Sequence, residues 1–274
     1  MGLVINTNVQ AINAQRNLSR TSSTLSTAMA RLSSGLRITA AKDDAAGLAI
    51  SEKMKSHIRG LAQAERNSND GISLVQTAEG AMDEISGMLI RMRELAVQSA
   101  NGTTDSSQKG FLNNEFDQLG TEITRVANAT AFNGTALLNA AATVTLQVGI
   151  GTTAANDQIN VTLTDVTETG LSINANVIDT ATNALAAITA IDSAINSLSG
   201  QRGVLGAFQN RLSSTVRNLA TTRENLSASN SRIRDVDVAT ESVNMTRSQI
   251  LMQAGTAVLA QANQLPGMAL SLIG

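Results

Sequence analysis

The sequence predicts a mainly α fold, with long antiparallel coiled-coil helices from both chain ends and a small central β-hairpin region. Three observations carry this. Ile191, Leu198, Leu205, Leu212, Leu219, Leu226 and Ile233 recur every seven residues. That spacing keeps one apolar seam of a helix turned towards a partner and imposes a left-handed supercoil. Leu74, Ala78, Ala81, Ile85, Met88, Met92 and Leu95 alternate steps of four and three, which makes a second seam of the same kind. Between the two, Val144, Leu146, Val148 and Ile150, then Ile159, Val161 and Leu163, alternate with polar residues, the period of a strand.

Composition agrees. Aromatic residues are 1% of the 274, with no Trp or Tyr. The apolar content is Ala, Leu, Ile, Val and Met, as in helices packed side by side rather than in a core built on aromatic rings. The net charge of −2 gives no electrostatic basis for binding nucleic acid or a polybasic attachment to membranes. Without cysteine, disulfides, thiol catalysis and thiolate metal sites are excluded. His57 is the only histidine, too few for a zinc site or for a choice of triad bases, and it reads as a partly exposed helix residue. Residues 1–20 lack a basic start followed by an apolar core, so no Sec-type signal is expected. No apolar run approaches the ~20 residues of a membrane span.

Residues 3–36 read as a first amphipathic helix. Ile5, Val9 and Ile12 are followed by Leu18, Leu25 and Leu32 at sevens, with Met29 and Leu36 beside them. Its many Ser, Thr and Asn residues make it marginal in isolation. A break follows at 33–47, where Gly35 interrupts the helix and Asp43 or Asp44 suits an N-cap. Residues 45–99 form a second helix, in which Ile50, Met54 and Leu61 extend the apolar face; about 55 residues would span roughly 80 Å. Gly60, Gly71, Gly80 and Gly87 either permit close approach or mark flexible points. After a turn at Asn101-Gly102, Asp105 and Gln108 resemble a capping box. Leu112, Phe116, Leu119, Ile123 and Val126 then give a third helix folded back on the second. From Asn133-Gly134 the helical period is lost, and a hairpin occupies about 140–175. The long helix resumes over 177–228, weakest at Gly200, Gly203 and Gly206. A joint is expected within 227–237. In the last helix, Val236, Val243, Ile250 and Ala257 recur at sevens, as do Leu251, Val258, Leu265 and Leu272. A helix apolar on more than one side needs several neighbours.

We take as subunit-packing seam residues Leu74, Ile85, Met88, Met92, Leu95, Leu198, Leu205, Leu212, Leu219, Leu226, Val243, Ile250, Leu251, Val258 and Leu265. Residues with apparent chemistry have simpler explanations. Gly149-Ile150-Gly151-Thr152-Thr153 lacks the lysine and following helix of a phosphate loop and reads as a turn. Asp43-Asp44 and Asp235 with Asp237 read as helix caps and solvated joints rather than cation ligands. The Asn-x-Thr triplets at Asn101, Asn128, Asn133 and Asn160 are what a chain rich in Asn and Thr produces by chance.

Several segments resemble bacterial flagellin in a short form with a reduced central region. They are Val4-Ile5-Asn6-Thr7-Asn8, Arg31-Leu32-Ser33-Ser34-Gly35-Leu36-Arg37-Ile38, Ala41-Lys42-Asp43-Asp44-Ala45-Ala46-Gly47, Asn69-Asp70-Gly71-Ile72-Ser73, Arg93-Glu94-Leu95-Ala96-Val97-Gln98, Ala131-Phe132-Asn133-Gly134, Ile250-Leu251-Met252-Gln253-Ala254-Gly255 and Ala260-Gln261-Ala262-Asn263-Gln264-Leu265-Pro266. They cover roughly 1–140 and 177–274, and their order is as diagnostic as their wording. The resemblance implies a secreted, extracellular structural subunit that self-assembles into a helical propeller filament for motility, with no enzyme activity, cofactor, metal, nucleic-acid partner or membrane insertion. It implies an inner filament-core domain from 1–44 and 233–274. It also implies an outer helical bundle from 45–142 and 176–232, with 143–175 as a small hairpin region within it. Type III export, a flagellin export chaperone, a filament cap and hook-junction proteins are implied as well, as are end segments that fold on assembly. Many flagellins are detected by a Toll-like receptor, and Arg91, Leu95 and Glu115 occupy the positions of its contacts, with Ile90 departing from the usual Gln. The same residues fit packing between subunits. The alternatives are a hook-filament junction protein of the same family, or a cytoplasmic chemoreceptor-like rod, which would lack the break at 33–47 and the hairpin.

Overall fold

The structure is a computed structural model that describes the backbone of residues 7–270 and the side chains of residues 7–264. Ile5, Leu265 and Leu272 of the expected seams therefore lie outside the described side chains. The element order is α1 (Val9–Ser34), α2 (Ala45–Ala100), α3 (Ser106–Ala129), β1 (Ala131–Phe132), β2 (Thr135–Ala136), β3 (Ala142–Gln147), α4 (Ala154–Asp157), β4 (Gln158–Leu163), α5 (Ala181–Arg234) and α6 (Val238–Leu270). The chain is mainly α, as expected. It divides into two compact units, Met1–Ser56 with Asn225–Gly274, and His57–Glu224. α2 and α5 contribute a segment to each.

In the first unit α1 and α6 lie antiparallel. Asn8 Nδ2 donates to the Ala262 carbonyl at 2.7 Å near one end, and Arg31 pairs with Glu241 at 3.8 Å near the other. α1 begins at Val9 because Asn8 caps it, its Oδ1 accepting from the Ala11 amide at 3.0 Å. It ends where Gly35 turns left-handed, with φ +71°, a conformation that glycine adopts without steric cost. The two breaks in the unit meet as a single antiparallel bridge, Leu36 with Asp235. In it the Arg37 amide donates to Arg234 at 2.7 Å and the Val236 amide to Gly35 at 3.0 Å. The Arg37 guanidinium adds bonds to the Ile233 carbonyl.

That bridge corrects the expected joint at 227–237. α5 runs helically through Ser227–Ser231 to Arg234, and the break is confined to residues 235–237. The seam continues to Ile233, so the helix has packing to keep it going past the polar run. It restarts where Asp237 caps α6, accepting from the Ala239 and Thr240 amides at 3.0 and 3.3 Å and from the Thr240 hydroxyl at 2.8 Å. At its other end α5 starts at Ala181 rather than 177, because the Thr180 hydroxyl accepts from the Asn183 amide at 3.2 Å. Gly200, Gly203 and Gly206 do not interrupt it.

In the second unit, ion pairs set the antiparallel register of α2 and α5: Arg93 with Asp192 at 2.6 Å, Asp83 with Arg202 at 3.0 Å, and Glu65 with Arg223 at 2.6 Å. α3 folds back from a complete capping box of Asp105 and Gln108. Phe116, Ile123, Ile85, Leu89, Met92, Leu95, Ile191 and Leu198 share one core. β3 and β4 pair antiparallel, Val144 with Val161 and Leu146 with Ile159. A second, shorter hairpin joins β1 to β2 through Asn133 (φ 48°) and Gly134 (φ 79°), where two successive positive φ values call for Asn-Gly. The stretch after β4 is anchored: the Val166 amide donates to Leu138 at 2.9 Å, the Ile178 amide to Asn113 Oδ1 at 2.8 Å, and the Ser99 hydroxyl to the Ile178 carbonyl. It buries Leu171, Ile173 and Ile178.

The α2 glycines divide into two kinds. A Cβ at Gly60 would stand 2.9 Å from Ile150 Cγ2, and one at Gly71 would run into Leu146 Cδ1, whereas Gly80 and Gly87 face open space. Gly60 and Gly71 are therefore the positions where the β3–β4 region sits directly on the helix backbone.

Candidate functional site, an uncovered apolar face

Among the described residues no group of His, Cys, Asp or Glu stands where it could hold a metal ion, and no helix is long and apolar enough to cross a membrane. The Gly149–Thr153 loop is a turn closed by its own carboxylate: Asp157 accepts from the Gly151 and Thr153 amides, each at 3.1 Å. Asp44 caps α2, its Oδ1 accepting from the Gly47 amide at 2.8 Å, Asp237 caps α6, and Asp43 closes the turn before α2 on Thr39 and Ala40. Hydrogen bonds from the Thr39 hydroxyl, then from the Ala40 and Thr39 amides, hold the Asp43 carboxyl below the ordinary aspartate range. The Thr240 hydroxyl and the Thr240 and Ala239 amides do the same for Asp237.

α6 carries two stripes. Its inward stripe, turned towards α1, is Glu241, Met245, Ser248, Met252, Gly255, Leu259 and Ala262, all buried or half-buried. These alternate steps of four and three, a true a/d seam, but four of the seven are small or polar. Gly255 lets Leu18 close in; a Cβ there would stand 3.2 Å from Leu18 Cδ1. The outward stripe is the more apolar of the two. Val243 is 66% exposed, Ile250 60%, Leu251 51% and Val258 57%. Val243, Ile250 and Leu251 line a shallow groove with Thr246 and Arg247. On α1, Val9, Ile12 and Met29 are likewise exposed, while Leu25 and Ala28 are buried. A helix apolar on two sides is stable in water only when both are covered, and contiguous exposed apolar surface marks an interaction site.

The predicted seam residues thus fall into two groups. Leu74, Ile85, Met92, Leu95, Leu198, Leu205, Leu212 and Leu219 are buried within the second unit. Met88 packs half-buried on the same core, and Leu226 is half-buried in the first unit. Val243, Ile250, Leu251 and Val258 face solvent. The inward α6 stripe escaped the sequence reading because the stronger apolar heptads beside it drew the assignment; Met245, Met252 and Leu259, seven apart, were the signal available. Arg91 and Glu115 come together at 2.8 Å on the exposed α2–α3 surface, with Glu94 also on Arg91 at 3.0 Å, while Leu95 lies buried in the core.

Comparison with known proteins places these features in a family. Residues 5–143 match the bacterial flagellin N-terminal helical region and residues 188–273 the bacterial flagellin C-terminal helical region. The chain is 50% identical over 272 residues to a flagellin of Halalkalibacterium halodurans, covering 99% of this chain and 100% of that one. It is 43% identical to the flagellar filament 33 kDa core protein of Treponema phagedenis, covering 99% and 100%. The crystal structure of Bacillus cereus flagellin superposes with a TM-score of 0.51 at 31% identity, over 56% of this chain and 88% of that one. The chain belongs to the bacterial flagellin family.

Proposed function

We propose that this chain is the structural subunit of an extracellular flagellar filament, built by stacking copies of itself into a helical tube that serves as a propeller. The observation that supports this most directly is the uncovered Val243–Ile250–Leu251–Val258 stripe, which a lone molecule cannot bury. In this reading residues 1–44 and 233–274 form the filament core, residues 45–142 and 176–232 the outer bundle, and 143–175 its hairpin region. The chain acts as a building part and not as a catalyst, in keeping with one histidine and no cysteine.

The same stripe gives an export chaperone something to shield before assembly, and capping and hook-junction proteins would meet the ends of the polymer through the same helices. A Toll-like receptor would read Arg91 and Glu115, with Leu95 shaping their surface from beneath. The function is tested by removing residues 251–274. The full chain should polymerise into long tubes and the truncated chain should not; normal filaments from the truncated chain would refute the role of α6.

A further inference from the structure

A second groove in the first unit, about 390 Å³ in volume, runs between α1 and α6 and is lined by Arg20, Arg31 and Arg247 against a single carboxylate, Glu241. Glu241 is nearly buried and faces Arg31 at 3.8 Å. Asp43 also lies near Arg31 but is held by Thr39 and Ala40. Arg20 and Arg247 make no side-chain hydrogen bond or ion pair among the described residues. The Nε of Arg31 is buried without an acceptor, and a buried donor left unpaired is costly. The hydroxyls of Thr21, Thr24, Thr27 and Ser248 donate to carbonyls of their own helices; their oxygens are neutral acceptors and leave the guanidinium charge uncompensated. The groove therefore sets three guanidinium groups against one carboxylate, with only neutral acceptors, the Asn244 amide and the hydroxyls, beside them, and guanidinium matches the planar, two-oxygen geometry of an oxyanion.

We infer that this groove binds an oxyanion. It is supplied either by a carboxylate side chain of a neighbouring copy, which rests on the self-assembly reading above, or by a free anion held within each subunit. The test compares the critical concentration for assembly of the full chain with that of the Arg20→Gln/Arg247→Gln double variant, in chloride and in sulfate at matched ionic strength. A neighbour's carboxylate predicts that the double variant needs a several-fold higher concentration in chloride and keeps the wild-type response to sulfate. A free anion predicts equal values in chloride and loss of the sulfate response. The charge-conserving Arg20→Lys/Arg247→Lys variant should retain most of the wild-type behaviour. If the Gln variant matches wild type in both salts or assembles more readily, or if the Lys variant is as impaired as the Gln variant, the inference is overturned. Failure of the wild-type chain to assemble at all would instead refute the filament reading. The groove would then be tested on the monomer, where sulfate should raise the unfolding temperature of wild type and not of the Gln variant.

Discussion

Replacing Ile250 with serine isolates the proposed role of the outward α6 stripe. In the single chain Ile250 is 60% exposed, so about three-fifths of its side chain remains to be covered by another copy. Full burial of such a side chain is worth about 1.5–3 kcal/mol, which leaves about 1–2 kcal/mol per subunit for assembly. That is a factor of roughly 5–30 in an equilibrium. The Ile250→Ser chain should therefore show a critical concentration roughly 5–30 times higher, read as the protein left unsedimented after polymerisation reaches equilibrium. The unfolding temperature of the unassembled chain should hardly move, because an exposed substitution away from special features stays within about ±0.5 kcal/mol. Two outcomes would refute the reasoning. One is an unchanged critical concentration; the other is a large loss of monomer stability, which would mean that Ile250 is held by its own chain.

Other predictions follow from the same geometry. Gly71→Val should destabilise the second unit by about 1–3 kcal/mol through overpacking against Leu146, while Gly80→Ala, which faces open space, should stabilise it by up to about 1 kcal/mol; thermal unfolding of the two variants should shift in opposite directions. Leu95→Ala removes a fully buried side chain and should cost about 2–5 kcal/mol, whereas Arg91→Ala, on the surface above it, should leave the unfolding temperature nearly unchanged. Acid should act with two signs. The carboxyls of Asp43 and Asp237 lie below the ordinary aspartate value of 3.8 in the folded chain, so their contribution is complete above that value and is lost as pH falls through the lower folded value. Burial, and then the Asp117 charge, raise the Glu168 carboxyl above 4.5. Its unfavourable contribution is therefore present at neutral pH and is relieved as pH falls through the raised value towards 4.5. At pH 7, Asp237→Asn should lower the unfolding temperature and Glu168→Gln should raise it.

The helices were legible where one apolar seam dominates. The heptad from Ile191 to Leu219 and the four-three seam from Leu74 to Leu95 mark helices that bury or half-bury those residues, and the alternation of Val144 and Leu146, then of Ile159 and Val161, marked the hairpin. Legibility failed where two stripes compete. In α6 the residues that face α1 include Glu241, Ser248 and Gly255, weaker signals than the valines, isoleucine and leucine pointing outward, so periodicity alone found the stripe that faces solvent. It also failed where the decisive contact is distant in sequence. Nothing local says that Gly71 meets Leu146 while Gly80 meets nothing, or that Leu36 pairs with Asp235 and so places the joint at 235–237. The β1–β2 hairpin carried only its Asn133-Gly134 turn as a signal, because strands of two residues have no period to detect.

A filament built through α6 requires its outward stripe to be exposed in the single subunit and covered in the polymer. Hydroxyl-radical footprinting read by mass spectrometry measures this at individual side chains. Val243, Ile250, Leu251 and Val258 should be readily oxidised in the unassembled chain and strongly protected in the assembled one, while Phe111, exposed on α3, serves as an internal reference. Equal oxidation of the four residues in both states would contradict the account.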